Sequence, residues 1–246
     1  MKKIGVIVQA RMGSSRLPGK VLKTLAGKPM LEWILLRLQQ SKRLDTIILA
    51  TTDKAKDSPI VELAEHLNIP YFLGSEHDVL ERYYLAAKKF QLTHILRITA
   101  DCPFTDPELV DEVIEAFIKS PLKPDFAANN FIRTYPRGTD VAMMTFEALE
   151  KAWNEANEDY ERVHVTPYIR QNKDIFQHLS VEGDKDCGEL RWTVDTIEDF
   201  AFAEEIYSRL VLPGQYSWLD VLKIVKEQPE LQELNSHIRQ KALHEL

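Results

Sequence analysis

The chain has 246 residues, 44% of them hydrophobic and 28% charged, a balance typical of a soluble globular protein long enough to bury a sizeable core. Its net charge of −7 argues against nucleic-acid or anionic-membrane binding by the molecule as a whole. The two cysteines, Cys102 and Cys187, lie far apart with no CxxC, which argues against a disulfide framework or a cysteine-built zinc site and fits a reducing cytoplasm. No stretch reaches the ~20 apolar residues of a membrane span, and the apolar run 4–8 is too short for a signal peptide. A cytoplasmic protein with no nucleic-acid partner and no membrane attachment is expected.

The β-branched run 4–8 predicts a buried parallel strand. Pro29 stands where a first helical turn tolerates it, and Met30, Leu31, Ile34, Leu35 and Leu38 form the apolar face of a helix. Strands are predicted at 46–51, 70–73 and 94–99, with helices at 57–67 and 78–90 between them and another from Pro107. This alternation means βαβ units and a mostly parallel sheet covered on both faces, an α/β fold. From 121 to 175 the rhythm breaks around Pro121, Pro124 and Pro136, a loop-rich excursion with helices near 145–157 and 160–171. Strands near 175–181 and 189–194, an amphipathic helix over 197–211 and helical turns over 218–243 complete the chain. The later strands either complete the sheet or form a small subdomain, and one domain over 1–246 is the simplest organisation.

Charge is unevenly placed. Residues 1–31 hold seven Lys/Arg and no Asp/Glu, whereas the remainder holds 24 basic and 38 acidic residues. The segment QARMGSSRLPGK follows the first strand, and ligands of open α/β sheets bind at strand carboxyl ends. Arg11, Arg16 and Lys20 can neutralise phosphates there, and the bare backbone at Gly13 lets N–H groups approach the same oxygens. The alternative is a solvated basic loop. Neither GxxxxGK[ST] nor GxGxxG is present, so P-loop and dinucleotide readings fail, and the charge density favours a triphosphate. Mg²⁺ would accompany it and needs carboxylates. Asp101, after the fourth strand, and Asp195, after the run 190–194, could converge on one ion, although each could instead be a turn or helix-cap residue. His164 has no second histidine at metal-ligand spacing, and no nucleophile signature is present.

QARMGSSRLPGKVL, ILATTD, GSEHDVLERYY, RITADCPFTDPELVD, YPRGTDV, HVTPYI and LRWTVDTIEDF, in this order along nearly the whole chain, resemble the cytidylyltransferases that make CMP-activated acidic sugars. The similar families are the 3-deoxy-manno-octulosonate and acylneuraminate cytidylyltransferases, and above all the spore coat polysaccharide biosynthesis protein F group. The resemblance implies a nucleotide-diphospho-sugar transferase fold, a Rossmann-like α/β/α sandwich, and transfer of CMP from CTP to a sugar hydroxyl with release of pyrophosphate. It implies CTP phosphates on Arg11, Ser14 and Lys20, the cytosine and ribose near Gln9, Ala10, Thr51 and Thr52, and Mg²⁺ on Asp101 and Asp195. Arg11, Lys20 and Asp101 would be the catalytic group.

It also implies acceptor binding by Asp78, Arg82, Arg137, Asp140, Arg162 and His164, a role in surface polysaccharide or glycan synthesis, and a homodimer with contacts in 121–175. Ala142 and Val163 depart from the pattern, since the closest group tends to have glutamate at both places. The departures fall on the acceptor side. Two other readings follow the same sheet: a glycosyltransferase using a finished nucleotide sugar, for which the Asp101-Cys102-Pro103 segment lacks DxD, and a catalytically silent nucleotide-binding homologue.

Overall fold

A computed structural model describes residues 2–212 and 214–240. Strands β1 (Ile4–Gln9), β4 (Thr46–Thr52), β5 (Tyr71–Gly74) and β6 (His94–Thr99) lie where the sequence predicts them. The short strands β2 (Thr24–Leu25) and β3 (Lys28–Pro29) form a separate antiparallel pair. Three further strands, β7 (Phe126–Ala128), β8 (Ala142–Thr145) and β9 (His178–Ser180), join the central sheet. Its order is β5-β4-β1-β6-β8-β7-β9, and β8 alone runs against its neighbours. The later strands therefore complete the sheet rather than form a subdomain.

Alternation along the strands divides the interior into two layers. Val6, Val8, Leu49, Leu96 and Ile98 pack against helices α1 (Met30–Leu38), α2 (Ser58–His66) and α4 (Pro107–Lys119). Ile7, Ile48, Ala50 and Ile95 face the other way, onto α3 (Val79–Lys89) and α5 (Phe146–Glu155). A strand buried on both faces must be apolar at every position, which is why these runs do not alternate in sequence. A third cluster holds α8 (Ile197–Arg209) and α9 (Trp218–Glu227) against β2 and Trp192. Each fully buried Leu, Ile or Phe contributes about 1.5–3 kcal/mol. Among the described residues no helix is long and apolar enough to cross a membrane.

Three expectations need correction. The helix over 160–171 is two helices, α6 (Asp159–His164) and α7 (Pro167–Gln171), because Val165 takes φ 69° and Pro167 has no N–H to continue the ladder. The run 189–194 begins in a turn and forms no strand; its ladder contact is a single bridge between Arg191 and Arg137. The expected turns over 218–243 end as α9 and a 3-10 turn, Pro229–Leu234, and residues 241–243 lie outside the described ones. Conversely, β7 and β8 arise inside the stretch read as loops, since three- and four-residue strands carry almost no periodicity.

The bridge matters because it carries the segment leading to Asp195. Trp192 N–H donates to the Arg137 carbonyl at 2.7 Å, and Val194 N–H to the Asp101 carbonyl at 2.8 Å. Gly138, at φ 107°, makes this approach possible: a Cβ there would stand 2.5 Å from the Thr193 nitrogen and 2.6 Å from the Trp192 carbonyl carbon. Gly138→Ala should therefore lower stability by about 2–3 kcal/mol and Tm by about 5–10 °C. Gly27→Ala, at φ 84° with open space around it, carries backbone strain alone and should cost about 1 kcal/mol. Thermal unfolding of both variants checks the difference, and equal losses would contradict the close approach.

Candidate active site

An open cavity of about 850 Å³ lies at the carboxyl ends of β1 and β6. Its floor is Gln9, Ala10, Thr99 and Ala100; its rim is the basic loop on one side and α3 with α6 on the other. The loop is held by its own backbone. The Met12 carbonyl accepts from the N–H groups of Ser14 and Gly19, both at 3.0 Å, and Gly19 at φ 68° reverses the chain into the 3-10 turn Lys20–Leu22. Met12 N–H in turn donates to Asp57 Oδ1 at 2.6 Å, and the other oxygen of Asp57 accepts from the Thr52 hydroxyl.

Lys20 joins three parts of the chain. Its ammonium donates to Asp195 Oδ1 at 2.9 Å, to the Val194 carbonyl at 2.8 Å and to Asp101 Oδ2 at 3.3 Å. Burial works against this charge, but the two carboxylates outweigh it and raise the Lys20 pKa above its ordinary value. Burial likewise pushes the Asp101 carboxyl up, yet Lys20 and the Thr99 hydroxyl, 2.5 Å from Oδ1, bring it down to about 2. Asp195 also meets Arg16 at 3.0 Å and Arg191 at 3.2 Å. Neither aspartate is a helix cap: Asp106 caps α4, and a Thr196–Asp199 capping box starts α8. Both carboxylates are left to hold cations.

Asp101 and Asp195 already converge on one cation, the Lys20 ammonium, so they suit a hard divalent ion as two oxygen ligands. No cluster of three or more His, Cys, Asp or Glu side chains able to hold a metal occurs among the described residues, so further oxygens would come from the nucleotide or water.

The sequence-derived residues divide by position. Gln9, Ala10, Arg11, Ser14, Arg16, Lys20, Asp101 and Asp195 all line this cavity, as do Asp78, Arg82, Arg162 and His164. Arg162 and Asp78 form an ion pair on the α3–α6 side of it, with Nε at 3.0 Å, and Arg11 lies 4.0 Å from Glu76. Thr51 and Thr52 do not line it; they are 0% and 2% exposed, and Thr52 acts through Asp57 on the loop. Arg137 lines a different cavity, and Asp140 is taken up by both terminal nitrogens of Arg133, at 2.6 and 2.9 Å.

Arg97 is the residue that sequence reasoning missed. It sits inside β6, where a strand position reads as core, yet it lines the cavity with its Nε buried and without a hydrogen-bond partner. Its register partner on β8 is Ala142, which offers no countercharge.

Fold and site together define an α/β protein with a basic loop and two aspartates gathered at the carboxyl ends of its central strands. Residues 5–228 match the sequence model of the cytidylyltransferases. The uncharacterized protein MJ1063 of Methanocaldococcus jannaschii is 41% identical over 257 aligned residues, covering 100% of this chain and 99% of that protein. The spore coat polysaccharide biosynthesis protein SpsF of Bacillus subtilis is 30% identical, covering 94% of this chain and 97% of its own. A solved cytidylyltransferase structure from Leptospira borgpetersenii serovar Hardjo-bovis matches with a TM-score of 0.92 at 32% identity, over 98% of this chain and 100% of that one. The chain belongs to the cytidylyltransferase family and is a CTP-using nucleotidyltransferase.

The Lys20 cluster has a pH signature. A carboxyl whose folded pKa is depressed stabilises the fold fully above its ordinary value, 3.8 for Asp101, and loses that contribution as pH falls toward about 2. Lys20→Met removes the largest stabilising partner of Asp101, so the Tm gap between wild type and variant should be widest above pH 5 and close on the way to pH 2. Melting curves across that range check it; a gap independent of pH would show that Lys20 does not hold Asp101 ionised.

Proposed function

We propose that the chain transfers CMP from CTP to a hydroxyl of an acidic sugar, with Asp101, Lys20 and Arg11 as the catalytic group. The observation that carries this reading is the convergence of Lys20, Asp101 and Asp195 at the mouth of the basic loop. In the reaction the sugar hydroxyl oxygen attacks the α-phosphorus in line and gives up its proton to solvent, the bond from α-phosphorus to its bridging oxygen breaks, and pyrophosphate leaves. Such chemistry is mostly positioning and charge neutralisation.

The loop N–H groups and Ser14 receive the phosphates, while Gln9 and Ala10 face the base and ribose. Asp101 and Asp195 would hold Mg²⁺, which would supply charge neutralisation at the phosphate oxygens. Lys20 and Arg16, paired with these carboxylates, are the cations placed to turn to the phosphates. Lys20, kept protonated by its surroundings, then takes up the charge that builds on the departing pyrophosphate. Arg11, half-exposed at the rim, does the same from the other side.

An acidic acceptor suits the far side of the cavity. Arg82 is 2% exposed, donates from one terminal nitrogen to the Ser75 carbonyl at 2.6 Å, and has no carboxylate partner among the described residues. Arg97 has neither a hydrogen bond nor an ion pair there. A buried guanidinium without an anion is costly, and an acceptor carboxylate would satisfy both. Val163, in the cavity wall, and Ala142, opposite Arg97, add no carboxylate to this side of the cavity. A role in polysaccharide synthesis is supported by the name of the Bacillus relative. Assembly as a homodimer in the cytoplasm completes the reading, with Leu122, Ile132 and Ile175 exposed in the excursion.

Pyrophosphate release with CTP, Mg²⁺ and a panel of acidic sugars tests this. Release should require both substrates. Lys20→Ala and Asp101→Asn should each lose about 100-fold in kcat, the worth of ~3 kcal/mol of transition-state stabilisation. Arg97→Met should raise the acceptor KM about tenfold or more with CTP affinity unchanged. CTP binding without turnover across the panel would instead favour a silent homologue, and turnover of a nucleotide sugar a glycosyltransferase.

A further inference from the structure

A second cavity, of about 330 Å³, shares no lining residue with the first. Arg133, Arg137, Arg191 and Trp192 line it, together with Glu189 and Asn235. Two of its three guanidinium groups are committed. Arg133 grips Asp140, and Arg191 holds Asp199 through Nε and a terminal nitrogen, both at 2.8 Å, with Gln240 Oε1 at 2.7 Å.

Arg137 is not committed. Its guanidinium makes no hydrogen bond and no ion pair among the described residues, although its backbone is fixed by the bridge to Arg191. Burial lowers its pKa, and the charges of Arg133 and Arg191 push the same way against Asp140 and Glu189. Beside it Trp192 is 1% exposed, with its indole N–H buried and lacking an acceptor. A half-buried cation and a buried donor that both want an acceptor are expensive to keep in a folded protein. The arrangement is rigid, because Gly138 and the 191–194 segment lock Arg137 and Trp192 together.

We propose that this cavity binds a small oxyanion, phosphate or carboxylate in character, on the Arg137 guanidinium with the Trp192 indole N–H as a second donor. Arg191 stands in its wall and also holds Asp195 of the Lys20 cluster, so an anion here sits one side chain from the reaction site. Arg137 then serves this site rather than the acceptor.

The test is isothermal titration of the full chain carrying Lys20→Ala, which weakens the phosphate loop, with inorganic phosphate in one arm and malonate in the other. Saturable binding of at least one anion is expected, phosphate indicating a tetrahedral ligand and malonate alone a carboxylate. Adding Arg137→Gln should weaken it at least about tenfold, the worth of one charge-assisted hydrogen bond. Should circular dichroism show that Arg137→Gln does not fold, Trp192→Phe, which keeps a ring against Phe104, replaces it, with a loss of about threefold or more. No saturable binding of either anion below about 10 mM, or binding that the variant used leaves above these limits, overturns the proposal.

Discussion

The structure depends on one ammonium group shared between two carboxylates. Lys20 comes from the loop after β1, Asp101 from the turn after β6, and Asp195 from a segment 175 residues beyond Lys20. Each needs the others: without Lys20 two carboxylates face each other in a part-buried setting, and without them the lysine is a desolvated cation. The cost of breaking such a group by removing one member explains why the surrounding backbone is so closely tied. The 192–194 segment is hydrogen-bonded to both Arg137 and Asp101, and Gly138 leaves it the room to pass.

This constraint also answers how an acidic chain makes a home for a polyanion. Lys20 and Arg16 oppose Asp101 and Asp195, and Arg191 opposes Asp199, so the cluster is close to neutral as it stands. On the proposed function, a triphosphate would claim Lys20 and Arg16 as another cation takes over their carboxylates. The proposed function would thereby couple nucleotide and divalent ion by electrostatics, with the loop cations changing partners between protein and phosphate.

Much of this was legible in the sequence, for physical reasons that differ from residue to residue. β1 and β4 are buried on both faces and show as unbroken apolar runs, β6 as one interrupted by Arg97, and the polar residues just past them fall at the carboxyl ends by the rule of open sheets. Lys20, Asp101 and Asp195 could be picked out in this way, although nothing in their spacing says that the lysine bridges the two aspartates. Thr51 and Thr52 show the limit of the same rule: they end β4, but Asp57 turns Thr52 inward to brace the loop. Arg97 escaped because a charged residue within a strand reads as an interruption of core, and its exposure to the cavity depends on the small Ala142 beside it. Arg137 and Asp140 stand in one motif with two residues between them, yet Arg133 grips Asp140 while Arg137 lines the second cavity with no side-chain partner among the described residues.

The most direct measurement is anomalous diffraction from crystals of the full chain grown with CTP and Mn²⁺. The expected map has one metal peak in contact with both Asp101 and Asp195 carboxylates, with Lys20 Nζ moved from them onto a phosphate oxygen. A metal held elsewhere, or Lys20 still bridging the two aspartates beside bound CTP, would contradict the exchange of partners on which this reading of the site rests.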